Sequence, residues 1–102
     1  MIHDIYMPGL AHPSLPGKIV EWKKFLGDRV TKGETLLIVE IDKADVEVES
    51  LKEGYLAVIL AEAGEEVRIG SAIALIAETE AEIEEARQQS KRSSQRSVFY
   101  LV

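Results

Sequence analysis

The sequence predicts an all-β fold: two four-stranded sheets packed as a flattened barrel or sandwich with approximate two-fold symmetry. Three observations predict it. Short apolar, β-branched-rich runs recur between glycines, the spacing of an antiparallel sandwich or barrel. One run, Asp45 to Ser50, alternates strictly, with Val46 and Val48 set between Glu47 and Glu49, the period of a half-buried strand. Finally, a shift of 37 residues places Gly17 on Gly54, Gly27 on Gly64 and Gly33 on Gly70. The same shift puts Val30 on Val67, Asp28 on Glu65, Ile19 on Leu56 and Val39 on Ile76. Glycines recur where φ must be positive or backbones approach closely, so the match reads as two similar half-domains of about four strands each. Two units make a sandwich, not a solenoid.

The strand runs are Lys18 to Trp22, Glu34 to Ile41, Asp45 to Ser50, Tyr55 to Leu60 and Ala72 to Ala77. Their apolar positions supply the expected core: Ile19, Val20, Trp22, Leu37, Val39, Val46, Val48, Leu56, Ile59 and Leu75. Between the second and third runs lie Asp42 and Lys43, turn-compatible and too polar for either core face. A tight hairpin with Lys43 at its tip is the simplest structure. After Thr79 the pattern changes. Residues 80–89 are rich in helix formers, with acids early and Arg87 late, as the helix dipole prefers. Apolar residues there amount to little beyond Ala81, Ile83 and Ala86, so a short, fraying helix is expected. Ser90 to Ser97 reads as linker or disorder, and Val98 to Val102 is abruptly apolar. The division is therefore residues 1–79 as one domain and 80–102 as a short helix with a flexible basic tail.

Composition bounds the chemistry. The 102 residues fit one small domain of ordinary soluble composition. Net charge is −6, but all 18 acids lie at or before Glu85. Residues 1–86 carry −10, and residues 87–102 carry +4 from Arg87, Lys91, Arg92 and Arg96. An acidic body argues against nucleic acid, which needs a basic face. Apolar runs such as Leu56 to Ala61 are too short to span a bilayer, and the opening Met-Ile-His-Asp is no signal peptide. Without cysteine there is no disulfide, thiolate metal site or cysteine nucleophile. His3 and His12 lack metal-ligand spacing, and Ser14 and Ser50 lack a nucleophile-elbow context. The Gly-Asp and Lys-Gly turns start no helix and so form no phosphate loop. The numerous carboxylates read as a solvated acidic face. Lys43 stands out instead. It sits at the junction of the duplicated halves, flanked by Asp42 and Asp45, where a hairpin tip presents its amine to a modifying enzyme.

Asp42-Lys43-Ala44 after Val39-Glu40 resembles the modification motif of lipoyl domains from the acyltransferase component of 2-oxo acid dehydrogenase complexes. Other elements match in order. They are Met7-Pro8-Gly9-Leu10, Gly17 to Trp22, Gly27-Asp28-x-Val30, Lys32-Gly33-Glu34, Val46 to Ser50 with Gly54, and Gly64-Glu65 with Val67 and Gly70. The resemblance covers roughly residues 4–79. Glu53 to Leu60 and Ala77 to Ile83 are most similar to the pyruvate dehydrogenase type of cyanobacteria and plastids.

The resemblance implies a barrel-sandwich hybrid fold and lipoate in amide linkage to Lys43, with no catalysis by the domain itself. It assigns Asp42 and Ala44 to the motif read by a lipoylating enzyme, and Gly27 and Gly54 to turns near the lysine. Glu40, Asp45, Glu47 and Glu49 would supply an acidic recognition surface. The implied partners are the thiamine-diphosphate decarboxylase, the acyltransferase core and dihydrolipoamide dehydrogenase, in a bacterial cytoplasm or a plastid stroma. Neither nucleic acid nor membrane is among them.

Two departures stand out. The loop His12-Pro13-Ser14-Leu15-Pro16-Gly17 replaces a Ser-x-Thr-Met-x-Glu-Gly pattern, stiffened by prolines and lacking the acid before Gly17. The 102 residues hold no subunit-binding or catalytic domain, so a fragment, a truncated product or a free-standing carrier is expected. A biotin carrier would typically flank its lysine with methionines, where Asp42 and Ala44 stand. An unmodified docking module on the same fold is the other alternative.

Overall fold

The computed structural model describes residues 1–9 and 16–101, with side chains as far as Lys91. Eight strands precede one helix: β1 Ile2–Tyr6, β2 Pro16–Trp22, β3 Arg29–Val30, β4 Thr35–Ile41, β5 Ala44–Glu49, β6 Gly54–Ile59, β7 Glu66–Arg68, β8 Ala72–Ala77 and α1 Ala81–Leu101. They form two antiparallel four-stranded sheets, ordered β1-β8-β6-β3 and β5-β4-β2-β7. The strands β1, β3 and β7 are additional to the runs read from the sequence.

The predicted duplication governs this topology. Replacing β1, β2, β3 and β4 by β5, β6, β7 and β8, and the reverse, converts one sheet order into the other. The hydrogen bonds repeat in the same way. Gly27 N donates to Leu56 O and Gly64 N to Ile19 O, both at 2.8 Å. Leu56 N donates to Asp28 O and Ile19 N to Glu65 O, both at 2.9 Å. Gly27 and Gly64 share left-handed φ values of 87° and 94°, and Gly33 and Gly70 share 86° and 88°, so each matched pair has one turn conformation.

The core lies between the sheets, where Met7, Ile19, Leu36, Leu37, Val39, Leu56, Ile73 and Ile76 are almost fully buried. Each such side chain contributes about 1.5–3 kcal/mol by leaving water. Val20 departs from the expected core and is 43% exposed. The register against β4 shifts between Ile19 and Glu21, so a bulge turns both Val20 and Glu21 outward. Trp22, Val46 and Ile59 are half-buried and pack against the core margin. The Trp22 indole N–H donates to Ala61 O at 2.9 Å.

A second cluster lies on the outer face of the β1-β8-β6-β3 sheet. There α1 seals Ala57, Val58, Leu75 and Ala77 with its own Ala86, while Ile2 and Ile83 pack at the edge. This explains why β8 is buried at nearly every position instead of at alternate ones. The helix exceeds the short element expected from sequence and runs through Ser90–Ser97 to Leu101. Nothing stops it: the last glycine is Gly70, the last proline is Pro16, and Ser, Arg, Gln and Lys all continue a helix. Among the described residues, no helix is long and apolar enough to cross a membrane.

Candidate functional site

The β4–β5 ladder closes on the pair Ile41 and Ala44, leaving Asp42 and Lys43 as a two-residue loop. Their φ values are 51° and 66°. Two consecutive left-handed residues are what a type I′ hairpin turn requires, because its twist matches that of the strands. Aspartate tolerates this conformation through local hydrogen bonding; for lysine it costs about 1–2 kcal/mol. Asp42, Lys43, Ala44 and Asp45 are all exposed. Lys43 makes neither a hydrogen bond nor an ion pair with any described residue. The tip therefore offers a primary amine to solvent on a rigid two-stranded arm.

The register places carboxylates around the base of that arm. Glu40 lies opposite Asp45 on one side and Lys18 on the other, and Lys18 in turn lies opposite Glu66. Further from the tip is a shallow cleft of about 720 Å³, lined by Val20, Glu21, Ile38, Asp45, Val46 and Glu47. Among the described residues nothing covers this outer face, whereas α1 covers the other sheet. Lys18 and Ile38 were not singled out from sequence, and Val20 was read as core and not as part of this face. Lys18 gains its place only from the strand register, and Val20 faces out only because of the bulge.

Gly27 and Gly54 do not lie at the lysine turn. The turn closes one end of the β4–β5 ladder, and Thr35 opposite Glu49 marks the other. Gly27 follows β2 beyond Trp22, which pairs with Leu37 toward that far end. Gly54 pairs with Val30, five residues before Thr35 and five after Glu49. Both glycines thus shape turns distant from Lys43. Gly54 is required by contact: a Cβ there would sit 2.3 Å from Ala77 O. Residues at the lysine end are instead Gly17 and Lys18. The unusual loop before them, His12 to Leu15, lies outside the described residues.

Shifted carboxylates lie away from the lysine turn. The Thr31 backbone N–H at 3.0 Å and the Lys24 ammonium at 3.0 Å hold Glu34 below its usual range. His3 Nε2 does the same for Glu78, and the terminal amine of Met1 for Glu82. Thus His3 is engaged in tying β1 to the start of α1. No group of three His, Cys, Asp or Glu among the described residues could hold a metal ion. The arrangement presents an amine and an acidic surface.

The family model described as "Biotin-requiring enzyme" matches residues 3–76. The chain is 51% identical over 86 residues to dihydrolipoyllysine-residue acetyltransferase component 4 of the chloroplastic pyruvate dehydrogenase complex of Arabidopsis thaliana. That match covers 84% of this chain and 18% of the relative. It is 43% identical over 75 residues to the succinyltransferase component of the 2-oxoglutarate dehydrogenase complex of Staphylococcus saprophyticus, covering 74% of this chain and 18% of the relative. Two solved structures are similar. Kluyveromyces lactis urea carboxylase matches at TM-score 0.64 and 25% identity, over 76% of this chain and 6% of that one. The lipoyl domain of the Azotobacter vinelandii 2-oxoglutarate dehydrogenase complex matches at TM-score 0.61 and 26% identity, over 74% of this chain and 98% of that one. The chain thus spans less than a fifth of the curated relatives' length.

Proposed function

The chain belongs to the biotin- and lipoyl-attachment family, and from that premise we propose that it is a lipoyl carrier domain with lipoate amide-linked to Lys43 Nζ. The observation that carries this is the turn itself: an exposed lysine, free of side-chain partners among the described residues, in a disfavoured left-handed conformation at the tip of a hairpin. An attachment lysine has to project clear of the body, and a type I′ turn achieves that with the shortest loop. Backbone strain kept at an exposed tip, where any residue would be tolerated by packing, marks a functional constraint.

Fold alone does not choose between biotin and lipoate, since a urea carboxylase and a lipoyl domain match about equally well. Sequence does. The curated relatives named above are both acyltransferase components, and Asp42 and Ala44 stand where a biotin carrier would typically have methionines. When attached, lipoate supplies a dithiolane that carries acyl groups and electrons. The chain itself contributes position: the rigid hairpin sets where Nζ starts, and tethering raises local concentration at each partner site. The parent protein on this reading is a dihydrolipoyllysine-residue acetyltransferase of a pyruvate dehydrogenase complex in the plastid stroma, the compartment named for its Arabidopsis relative. Its partners are the lipoylating enzyme, the decarboxylase, the acyltransferase core and dihydrolipoamide dehydrogenase. Glu40, Asp45 and Glu47 form the acidic surface they meet.

Intact mass after co-expression with a lipoylating enzyme and lipoate tests this. A gain of one lipoyl group that vanishes in Lys43→Arg supports the reading. No gain, or a gain that survives Lys43→Arg, overturns it.

A further inference from the structure

Resting on the lipoyl reading above, we propose that the arm on Lys43 folds back onto the outer face of its own sheet and docks on Val20 and Ile38. The duplication points to this site. In the β2–β4 ladder Ile19 pairs with Val39 and Glu21 with Ile38; 37 residues on, in the β6–β8 ladder, Leu56 pairs with Ile76 and Val58 with Leu75. Both ladders slip at the same place, so the bulge that turns Val20 outward recurs at Ala57. The strands outside them also correspond, since Asp45 pairs with Glu40 as Ile2 does with Ala77.

On the second sheet this face is closed. Ala57, Val58 and Leu75 pack with Ala86 of α1, and Ile2 and Ile83 lie at the edge. On the first sheet the equivalent positions are Val20, Glu21, Ile38 and Asp45, and all four line the open cleft of about 720 Å³. Two of them stay apolar with no element of the described chain above them, and Val20 is 43% exposed. The same surface that takes a covering segment in one half is therefore vacant in the other.

What leaves the equivalent point identifies the occupant. The shift of 37 residues places Glu80 on Lys43. From Glu80 the main chain turns back over its sheet as α1. From Lys43 the main chain turns into β5, and the group that leaves is the side chain. Three residues of backbone separate Glu80 from Ile83, and a lysine side chain carrying lipoate spans about the same number of bonds before its ring. Attachment at Lys43 gives the ring an effective concentration of order millimolar at the cleft, so a shallow site suffices. Glu21, Asp45 and Glu47 surround Val20 and Ile38, so the cleft takes the arm while its sulfurs are uncharged and repels a thiolate.

Methyl NMR of the full chain, labelled at Val, Ile and Leu and compared with and without lipoate, tests the docking. Intact mass establishes loading first. In the loaded chain the Val20 and Ile38 methyl resonances should shift and show nuclear Overhauser contacts to the lipoyl methylenes. The Leu75 methyls, at the equivalent position on the closed face, should not move. The doubly changed Val20→Ser, Ile38→Ser chain, once loaded, should lose those contacts while its circular dichroism spectrum stays that of the parent. A fully loaded chain whose Val20 and Ile38 methyls neither shift nor show the contacts overturns the docking and leaves the carrier reading standing. Contacts that survive the double change place the arm elsewhere and overturn it as well. A chain that gains no lipoyl mass overturns both.

Discussion

Lys43 holds a backbone conformation that lysine disfavours, so function and stability oppose each other at one residue. Glycine is free of the steric cost at φ 66°, and Asp-Gly is a preferred type I′ pair. Lys43→Gly is therefore expected to stabilise the domain by about 1 kcal/mol while abolishing the lipoyl mass gain. Thermal unfolding should register this as a rise of roughly 4–8 °C; an unchanged or lower Tm would remove the strain argument. The duplicated glycines give a second contrast. Gly17 and Gly54 are equivalent by symmetry, but a Cβ on Gly17 would meet the Met7 thioether at 2.5 Å, and one on Gly54 the Ala77 carbonyl at 2.3 Å. A thioether can move; a sheet carbonyl cannot without breaking the β6–β8 ladder. In urea unfolding, Gly17→Ala should cost about 1–3 kcal/mol, and Gly54→Ala should cost more than about 4 kcal/mol or prevent folding. Equal costs would show that the sheet yields as readily as the side chain.

At the scale of elements, α1 is held at its first turn. Thr79 Oγ1 bonds Glu82 at 3.0 Å, Glu82 accepts from the Met1 amine, and Glu78 bonds His3. Glu78 and Glu82 have pKa values below their unfolded 4.5, so their contribution is full above pH 4.5 and disappears as pH falls through the lowered values. The Met1 amine is raised above 8.0 by Glu82, so its contribution is full below pH 8.0 and disappears as pH climbs past the raised value. A Tm profile should thus be flat between these limits and decline on both sides, and Glu82→Gln should shrink both declines. A Glu82→Gln profile parallel to the parent's would show that the helix start is not held by this carboxylate. The helix start was legible as the change of pattern after Thr79, close to the observed start at Ala81. The helix length was less so, because a weakly apolar face says little about extent when no breaker follows. The hairpin was legible because two polar residues between apolar runs have few other solutions. The β2 bulge left no mark, since Ile19-Val20-Glu21-Trp22 reads equally well as regular alternation with one exposed acid.

Across the whole molecule, matched glycines made the two-fold symmetry legible, because left-handed turns and close approaches demand the same residue in both halves. They did not reveal which end of the molecule each turn occupies, and it was the family resemblance that put Gly27 and Gly54 near Lys43. That distinction follows from strand pairing over long sequence separations. It also organises the charge. One end carries the lysine turn among Glu40, Asp42, Asp45 and Glu66, while α1 closes the opposite sheet face. A partner approaching Lys43 therefore meets an acidic surface with a cleft in which Val20, Ile38 and Val46 lie among Glu21, Asp45 and Glu47. Electrostatic steering to such a surface acts on association and is screened with a Debye length of about 10 Å at 0.1 M salt. The kcat/KM for reductive acylation of the lipoylated domain by its decarboxylase is accordingly expected to fall steeply with ionic strength. The paired change Glu40→Gln with Asp45→Asn should flatten that dependence and lower the low-salt value about tenfold. Glu53→Gln, beside Gly54 at the end of the molecule away from Lys43, serves as the control and should leave both unchanged. A salt dependence that survives neutralisation of Glu40 and Asp45 would move the steering surface away from the base of the hairpin.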